Sequence, residues 1–305
     1  MSSIIFGPIA SRRFGKSLGI DLSPGRKQCN FDCVYCELDP AKPMERYEEA
    51  LPPQEILEAV RRGLDEFPDI DVLTVTANGE PTLYPHLDEV VAGLEAIPDR
   101  PRLLILSNAS TIDRPEIRQT LRRFDTVKLS LDCATPRCFK RIDRPASSIE
   151  LEAIKEGMLR FREEFSGALI LEILVVEGIN DKASEIEALN DYLLKLRPDR
   201  IDLGTIDRPP AYRVAPVPYE RLRELSLLFD PSLSVHIASR RDIARITPSG
   251  YTDEEILTTL AKRPLTPEDV SILFDPESQK RLQTLLEKGE IKILENNGVK
   301  FYVPA

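Results

Sequence analysis

Six short apolar runs alternate with amphipathic stretches up to about residue 206, and a different rhythm begins near residue 250. Together they predict an α/β protein: a partial (β/α)6 TIM-like barrel within residues 1–240, followed by a winged-helix-like domain over 250–305. The third observation is local. Three of the chain's five cysteines fall within eight residues, "CNFDCVYC" at 29–36, soon after the first apolar run. Repeated strand–helix–strand units mean a parallel sheet with helical crossovers, as a TIM-like barrel or a doubly wound sheet. Either form places an active site at the carboxyl ends of its strands.

The strands are read in order as "SLGIDL" (17–22), "DVLTVTA" (71–77), "RLLILS" (102–107), "TVKLSL" (126–131), "ALILEILVVE" (168–177) and "RIDLGTI" (200–206). Each is a short run rich in β-branched or apolar residues. Between them, "PPQEILEAVRRGLDEF" (52–67) and "IELEAIKEGMLRFREEF" (149–165) are amphipathic. In the second, Leu151, Ile154, Met158, Leu159 and Phe161 form a helical stripe. In "TVKLSLD", Lys128, Ser130 and Asp132 share the face opposite Val127, Leu129 and Leu131. A strand buried on both faces is almost continuously apolar, so this polar face predicts a hydrophilic lumen. Glu172 interrupts the next apolar run, on the face of Ile170 and Leu174, where it can pair with Lys128. That pair is read either as catalytic or as an internal structural ion pair.

Beyond a linker at about 240–250, Thr252 with Glu255 and Thr266 with Asp269 read as helix-capping boxes. A third helix follows at 275–291, and "KILENNGVKFYVP" (292–304) reads as a hairpin turning at Asn297-Gly298. This unit offers Lys280, Arg281, Lys288, Lys292 and Lys300, yet residues 252–305 hold ten acidic residues against seven basic ones. Phosphate binding needs concentrated basic charge, so protein contact or substrate capture is as good a reading as nucleic-acid binding.

The bulk properties narrow the class. A chain of 305 residues and 34.4 kDa, 42% hydrophobic and 30% charged, suits one large and one small domain. A net charge of −10 argues against a generally basic, nucleic-acid-coating surface. The start, with Arg12 and Arg13 after a mixed stretch, is not a signal peptide, and no run is long enough to span a membrane. A cytoplasmic location is therefore expected, where a tight cysteine cluster binds metal rather than forming disulfides. No Walker loop, GxSxG elbow or HExxH motif occurs.

Three thiolates on one loop, Cys29, Cys33 and Cys36, can hold three irons of a [4Fe–4S] cluster and leave the fourth open to a ligand. A structural zinc site would need a fourth ligand, and no neighbouring His or Cys supplies one. The spacing Cys-x3-Cys-x2-Cys after the first strand, with Tyr35 before the last thiol, resembles the signature of the radical S-adenosylmethionine (SAM) superfamily. The resemblance implies a [4Fe–4S] cluster whose open iron chelates SAM, and residues 1–240 as the core domain. One electron then cleaves SAM to methionine and a 5′-deoxyadenosyl radical, which takes hydrogen from a substrate. An electron donor such as flavodoxin or ferredoxin is implied as a partner.

The string "TANGEPTL" (76–83) follows the second strand, where the family binds the SAM amino group. There Gly79 would let backbone approach a ligand, Glu80 would accept from an ammonium, and Pro81 would stiffen the turn. Asn78 stands in place of a glycine, and asparagine tolerates left-handed backbone. By the same resemblance Ser107, Asn108, Ser130 and Asp132 contact the methionine and ribose, and Val175 and Val176 flank the adenine. Within the superfamily, "GPIASRRFGKSLGIDLSP" (7–24), "KQCNFDCVYCEL" and "SLDCATPRCFKRIDRP" resemble iron–sulfur oxidoreductases related to the wyosine-synthesis enzymes of tRNA. Ser11, Arg12 and Arg13 would hold the SAM carboxylate or a substrate phosphate, or are merely solvated. Wyosine synthases carry a second cluster on cysteines upstream of the triplet, and this chain has none before Cys29. Cys133 and Cys138 would donate hydrogen or partly ligate a second cluster, or are small buried residues. The substrate implied is an RNA base, with a peptide or protein as the alternative. From another class, the chain could be a non-catalytic iron–sulfur regulator that binds DNA, which the Gly79-Glu80-Pro81 turn argues against.

Overall fold

The computed structural model describes residues 4–11, 14–237, 248, 250–262, 264–296 and 299–305. Eight strands form one sheet in chain order: β1 (Ile5–Ser11), β2 (Gly15–Asp21), β3 (Val72–Thr76), β4 (Arg102–Ser107), β5 (Thr126–Ser130), β6 (Ala168–Val175), β7 (Arg200–Thr205) and β8 (Val235–Ile237). β1 pairs antiparallel with β2, and every later pair is parallel. The crossovers carry α1 (Pro53–Glu66), α2 (Leu87–Glu95), α3 (Pro115–Leu121), α4 (Pro136–Ile142), α5 (Leu151–Glu164), α6 (Ala183–Leu196) and α7 (Tyr219–Ser226). A doubly wound sheet reverses its strand order partway, and this one does not. With right-handed crossovers an unreversed order puts every helix on the same face, which leaves an inner face for polar side chains. Among the described residues no pairing joins β1 to β8, so the sheet does not close.

All six expected strands form, within two residues at either end. The structure adds β1 and β8, so "SLGIDL" lies on the second strand rather than the first. β1 escapes sequence reading because Gly7-Pro8 punctuates it, and proline sits in strands at sheet edges, which is where β1 lies. β8 is three residues long, too short for a periodic signal.

Beyond residue 250 come α8 (Asp253–Lys262), α9 (Pro267–Leu273) and α10 (Pro276–Glu287), then the antiparallel pair β9 (Ile291–Asn296) and β10 (Val299–Pro304). Both capping boxes form: Thr252 N donates to Glu255 Oε2 at 2.6 Å, and Thr266 N to Asp269 Oδ2 at 3.0 Å. The expected turn at Asn297-Gly298 and most of the 240–250 linker lie outside the described residues. Hydrophobic burial falls into two clusters, one between the sheet and its helices and one confined to residues 251–291. No helix among the described residues is long and apolar enough to cross a membrane.

Candidate active site

The loop after β2 leaves the carboxyl end of the sheet and is tied down before it reaches the cysteines. Buried Gln28 bridges to Gly79: its N–H donates to Asn78 O at 2.8 Å, and its carbonyl accepts from Glu80 N at 3.0 Å. Its side-chain Oε1 accepts from Glu48 N at 2.8 Å, and Nε2 donates to Glu49 O at 2.8 Å, closing the far end of the loop. Gly79 has a φ of +133°, and a Cβ there would lie 1.9 Å from the Gln28 carbonyl oxygen. The glycine is thus required by contact with the cysteine loop. The left-handed conformation expected of Asn78 falls instead on this glycine.

The second half of the loop rests on α4. Val34 N donates to Ile142 O at 2.8 Å and Asp32 N to Asp143 O at 3.1 Å, and the Phe31 and Phe139 rings meet edge-on at 5.4 Å. From the other side the segment after β7 reaches across. Ala211 N donates to Cys36 O at 2.9 Å, Arg208 pairs with Glu37 at 2.5 Å, and the Tyr212 hydroxyl donates to Asp32. Nothing in the spacing of residues 207–216 distinguishes them from an ordinary proline-rich loop.

Cys29, Cys33 and Cys36 are free and half-buried. Cys29 Sγ accepts from Phe31 N at 3.4 Å and Asn108 Nδ2 at 3.6 Å. Burial pushes the Cys29 thiol up to about 12, and raises Cys33 and Cys36 above the ordinary thiol value as well. Metal binding would therefore release protons from all three. Burial opposes the charge of Lys27 beside them, but Cys36, Asp32 and Cys29 outweigh it and hold this ammonium above its ordinary value. Cys29, Cys33 and Cys36 do not bring their three sulfurs within 4.8 Å of one another. Sulfurs around one tetrahedral ion stand about 3.8 Å apart, so the triplet is spaced for something larger. Three thiols, a wider spacing and a neighbouring cation fit a multi-iron cluster of negative charge.

The residues expected around SAM separate into two groups. Glu80 is 1% exposed, and its carboxylate accepts four hydrogen bonds: from Thr82 N (3.0 Å), Thr82 Oγ1 (2.6 Å), Ser107 Oγ (2.7 Å) and Asn108 N (2.7 Å). Three of the four fall on Oε1 and one on Oε2, so Oε2 is not filled. The side chain joins the β3 and β4 loops, and its Oε2 keeps an acceptor position for the ammonium expected there. Pro81 opens the short turn Pro81–Leu83 that Glu80 caps. Asn108 extends the network through Nδ2 to Asn30 Oδ1 at 3.0 Å, so Ser107 and Asn108 support the cysteine loop.

Asp132 is also turned inward. At 2% exposure it accepts from Tyr35 OH at 2.5 Å and Leu174 N at 2.7 Å. Burial raises it to about 7, and its neighbour Asp143, which accepts from Cys33 Sγ at 3.5 Å, is raised too. Asp132 therefore positions Tyr35. Ser130 is half-exposed at the end of β5, next to Glu172 in register. Val175 and Val176 are 0% exposed in the core, so neither flanks an open site; the alternation of β6 puts Leu174, half-exposed, on the inner face with Glu172.

The expected pair forms: Lys128 Nζ meets Glu172 Oε1 at 2.5 Å, and Asp202 Oδ2 also lies 3.4 Å from it. Arg200 in turn pairs with Asp202 at 3.0 Å and lies over the Phe14 ring at 5.2 Å. Sequence reading misses Asp202 because its strand carries no other signal. The Glu172 side chain is 43% exposed, so the inner face here is open to water. Cys133 and Cys138 correct the expectation of free thiols. They are joined in a disulfide, 0% and 4% exposed, and present no S–H to a substrate or cluster. Arg12 and Arg13 lie outside the described residues, as does the Ser11 side chain.

Residues 26–193 match the model of the radical SAM superfamily. A UPF0026 protein of Helicobacter pylori strain J99 is 40% identical over 98% of this chain and 97% of its own length. In structure, the chain resembles a radical SAM methyltransferase from Sphaerobacter thermophilus (TM-score 0.58, 17% identity, 74% of this chain and 67% of that one). It likewise resembles SuiB of Streptococcus suis bound to its precursor peptide SuiA (TM-score 0.58, 16% identity, 73% of this chain), and spans 49% of that protein. With the cysteine loop at the carboxyl end of an unreversed parallel sheet, these likenesses identify the chain: it belongs to the radical SAM superfamily, whose enzymes use a [4Fe–4S] cluster and S-adenosylmethionine.

Proposed function

We propose that the chain is a catalyst in which Cys29, Cys33 and Cys36 hold the cluster and the inner face of the sheet receives the substrate. When bound, the cluster and SAM supply a 5′-deoxyadenosyl radical that abstracts hydrogen from the substrate. The chain's own part is position and exclusion of water. Gly79 and α4 clamp the cysteine loop from two sides, the segment after β7 covers it, and buried Asp132 fixes the Tyr35 ring beside Cys36. Lys128 and Glu172 stand on the inner face, where a half-exposed carboxylate can hold a polar group of the substrate. The three free thiols gathered at the carboxyl rim carry the reading. The electron comes from a small donor of the flavodoxin or ferredoxin kind. The C-terminal unit reads as a winged helix, and its acidic surplus favours contact with protein over nucleic acid.

The test is anaerobic: reconstitute the protein with iron and sulfide, add dithionite and SAM, and measure 5′-deoxyadenosine by mass spectrometry. Product from the wild type and none from Cys33→Ala is expected. Intact SAM in a preparation whose cluster has formed, even with cell extract present as a source of substrate, would sink the catalytic reading.

A further inference from the structure

Helix α4 and the residues after it, "PRCFKRIDR" at 136–144, turn two unlike faces outward and inward. Cys138, Phe139 and Ile142 are buried, and with the carbonyls of Ile142 and Asp143 they support the cysteine loop. Arg137, Lys140 and Arg141 are exposed at i, i+3 and i+4, a spacing that makes one basic stripe. Arg144, also exposed, continues it past the helix end, and its guanidinium lies 4.4 Å over the Tyr212 ring. Arg213 is exposed directly after that tyrosine.

The charges in this patch are poorly balanced from within. Among the described residues neither Arg137 nor Lys140 has an ion-pair partner, and Arg141 reaches only the Gly178 carbonyl, at 3.4 Å. Asp32 is engaged by Lys27, Arg144 and Tyr212, which leaves Glu177 and Asp207 as exposed acids in the adjoining loops. Five cations thus stand together beside the cysteine loop in a chain of net charge −10. Such a surface repels polyanions elsewhere and steers them here.

The shape says which anion. At 1.5 Å per residue, Arg137 to Arg141 spans roughly 6 Å along the convex face of α4, and Arg144 stands beyond its end. A single phosphate is held by donors converging in a hollow, whereas a row on a convex surface matches successive phosphates. The Arg144–Tyr212 stack adds an aromatic face of the kind on which an unpaired base stacks. A base must also leave a duplex before its atoms can enter a site between strand ends. We propose that the outer face of α4, with Tyr212 and Arg213, binds the backbone of a single-stranded nucleic acid and presents one of its bases to the site beside the cysteines. The surface stands on its own geometry; the fate of the base rests on the catalytic reading above.

The experiment uses the full chain, reconstituted and without SAM, and fluorescence anisotropy of labelled RNA and DNA strands of one sequence, about 15 nucleotides long. Salt is varied from about 50 to 200 mM. The wild type should bind with an affinity that falls steeply with salt. In Arg137→Ala/Lys140→Ala the salt slope should shrink by about 0.7 per cation removed, hence about 1.4, with affinity at the lowest salt down about tenfold or more. Either strand binding in this way supports the proposal, and a preference between them tells RNA from DNA. No binding at low salt, a double variant that binds like the wild type, or equal competition by polyglutamate or a phosphopeptide would overturn it. The 5′-deoxyadenosine assay on the same preparations separates the two readings: strand binding without SAM cleavage sinks the catalytic reading alone, and cleavage without strand binding sinks this one alone.

Discussion

Buried carboxylates, more than exposed ones, organise the site at the level of single residues. Glu80 collects four donors from the β3 and β4 loops, and Asp132 holds the Tyr35 hydroxyl and the Leu174 N–H. Burial dominates the titration of Asp132, raised from the usual 3.8 to about 7. A carboxyl raised on folding keeps its proton in the folded state after the unfolded chain has lost its own. Ionisation then favours the unfolded state as pH climbs from about 4 to about 7, and stability falls across that window and levels above it. Asp132→Asn keeps a carbonyl for Leu174 N and an amide for the Tyr35 oxygen, but binds no proton. The variant should therefore show a shallower fall in unfolding free energy between about pH 4 and about pH 7, with Asp143 supplying what slope remains. Denaturant titrations of the metal-free protein at the two ends of the window measure it, and parallel curves for variant and wild type would show that Asp132 ionises in the folded state much as in the unfolded one.

Among the elements, the loops carry what the strands alone do not reveal. The six strands were legible because each is a short apolar run bounded by turn residues, and the triplet because its spacing is rare by chance. The direction of individual side chains was less so. Val175 and Leu174 are equally apolar neighbours, and only the register of β6 decides which one faces inward. Glu80 looked free because a sequence shows a carboxylate without the Thr82, Ser107 and Asn108 donors that fold around it. Gly79 was picked out for the right property, a close approach; the partner expected was a ligand, and the one the structure shows is Gln28. That difference can be measured. In Gly79→Ala the new methyl would meet the Gln28 carbonyl at 1.9 Å, on a backbone with φ +133° that alanine rarely adopts. Strain of this kind costs about 1–3 kcal/mol, and relief requires the cysteine loop to move off β3. Reconstituted Gly79→Ala should hold clearly substoichiometric iron while its far-ultraviolet dichroism stays that of the wild type. Full iron loading would mean that the loop keeps its place without the Gln28–Gly79 bridge.

For the molecule as a whole, two hydrophobic clusters meet at one seam. The larger fills the space between the sheet and its helices; the smaller joins Tyr251, Ile256, Leu260, Phe274, Leu282 and Ile291. The change of rhythm near residue 250 anticipated the second cluster, but not its contact with the first, since β1 was itself unseen. That contact runs through β1: α8 packs on it, and the buried Tyr251 hydroxyl donates to the Pro8 carbonyl. Tyr251→Phe keeps the ring in the smaller cluster, against Phe274 at 4.5 Å, and removes only the donor. Pro8 is buried, so its carbonyl is left without that partner, at a cost of about 1–3 kcal/mol. The loss belongs to the seam rather than to either core. Calorimetry should resolve a transition for the small C-terminal cluster that falls by roughly 4–8 °C in the variant for each kcal/mol lost, while the transition of the sheet core keeps its midpoint. One transition that shifts as a unit would instead make the two clusters a single cooperative body, with the seam as strong as the cores it joins.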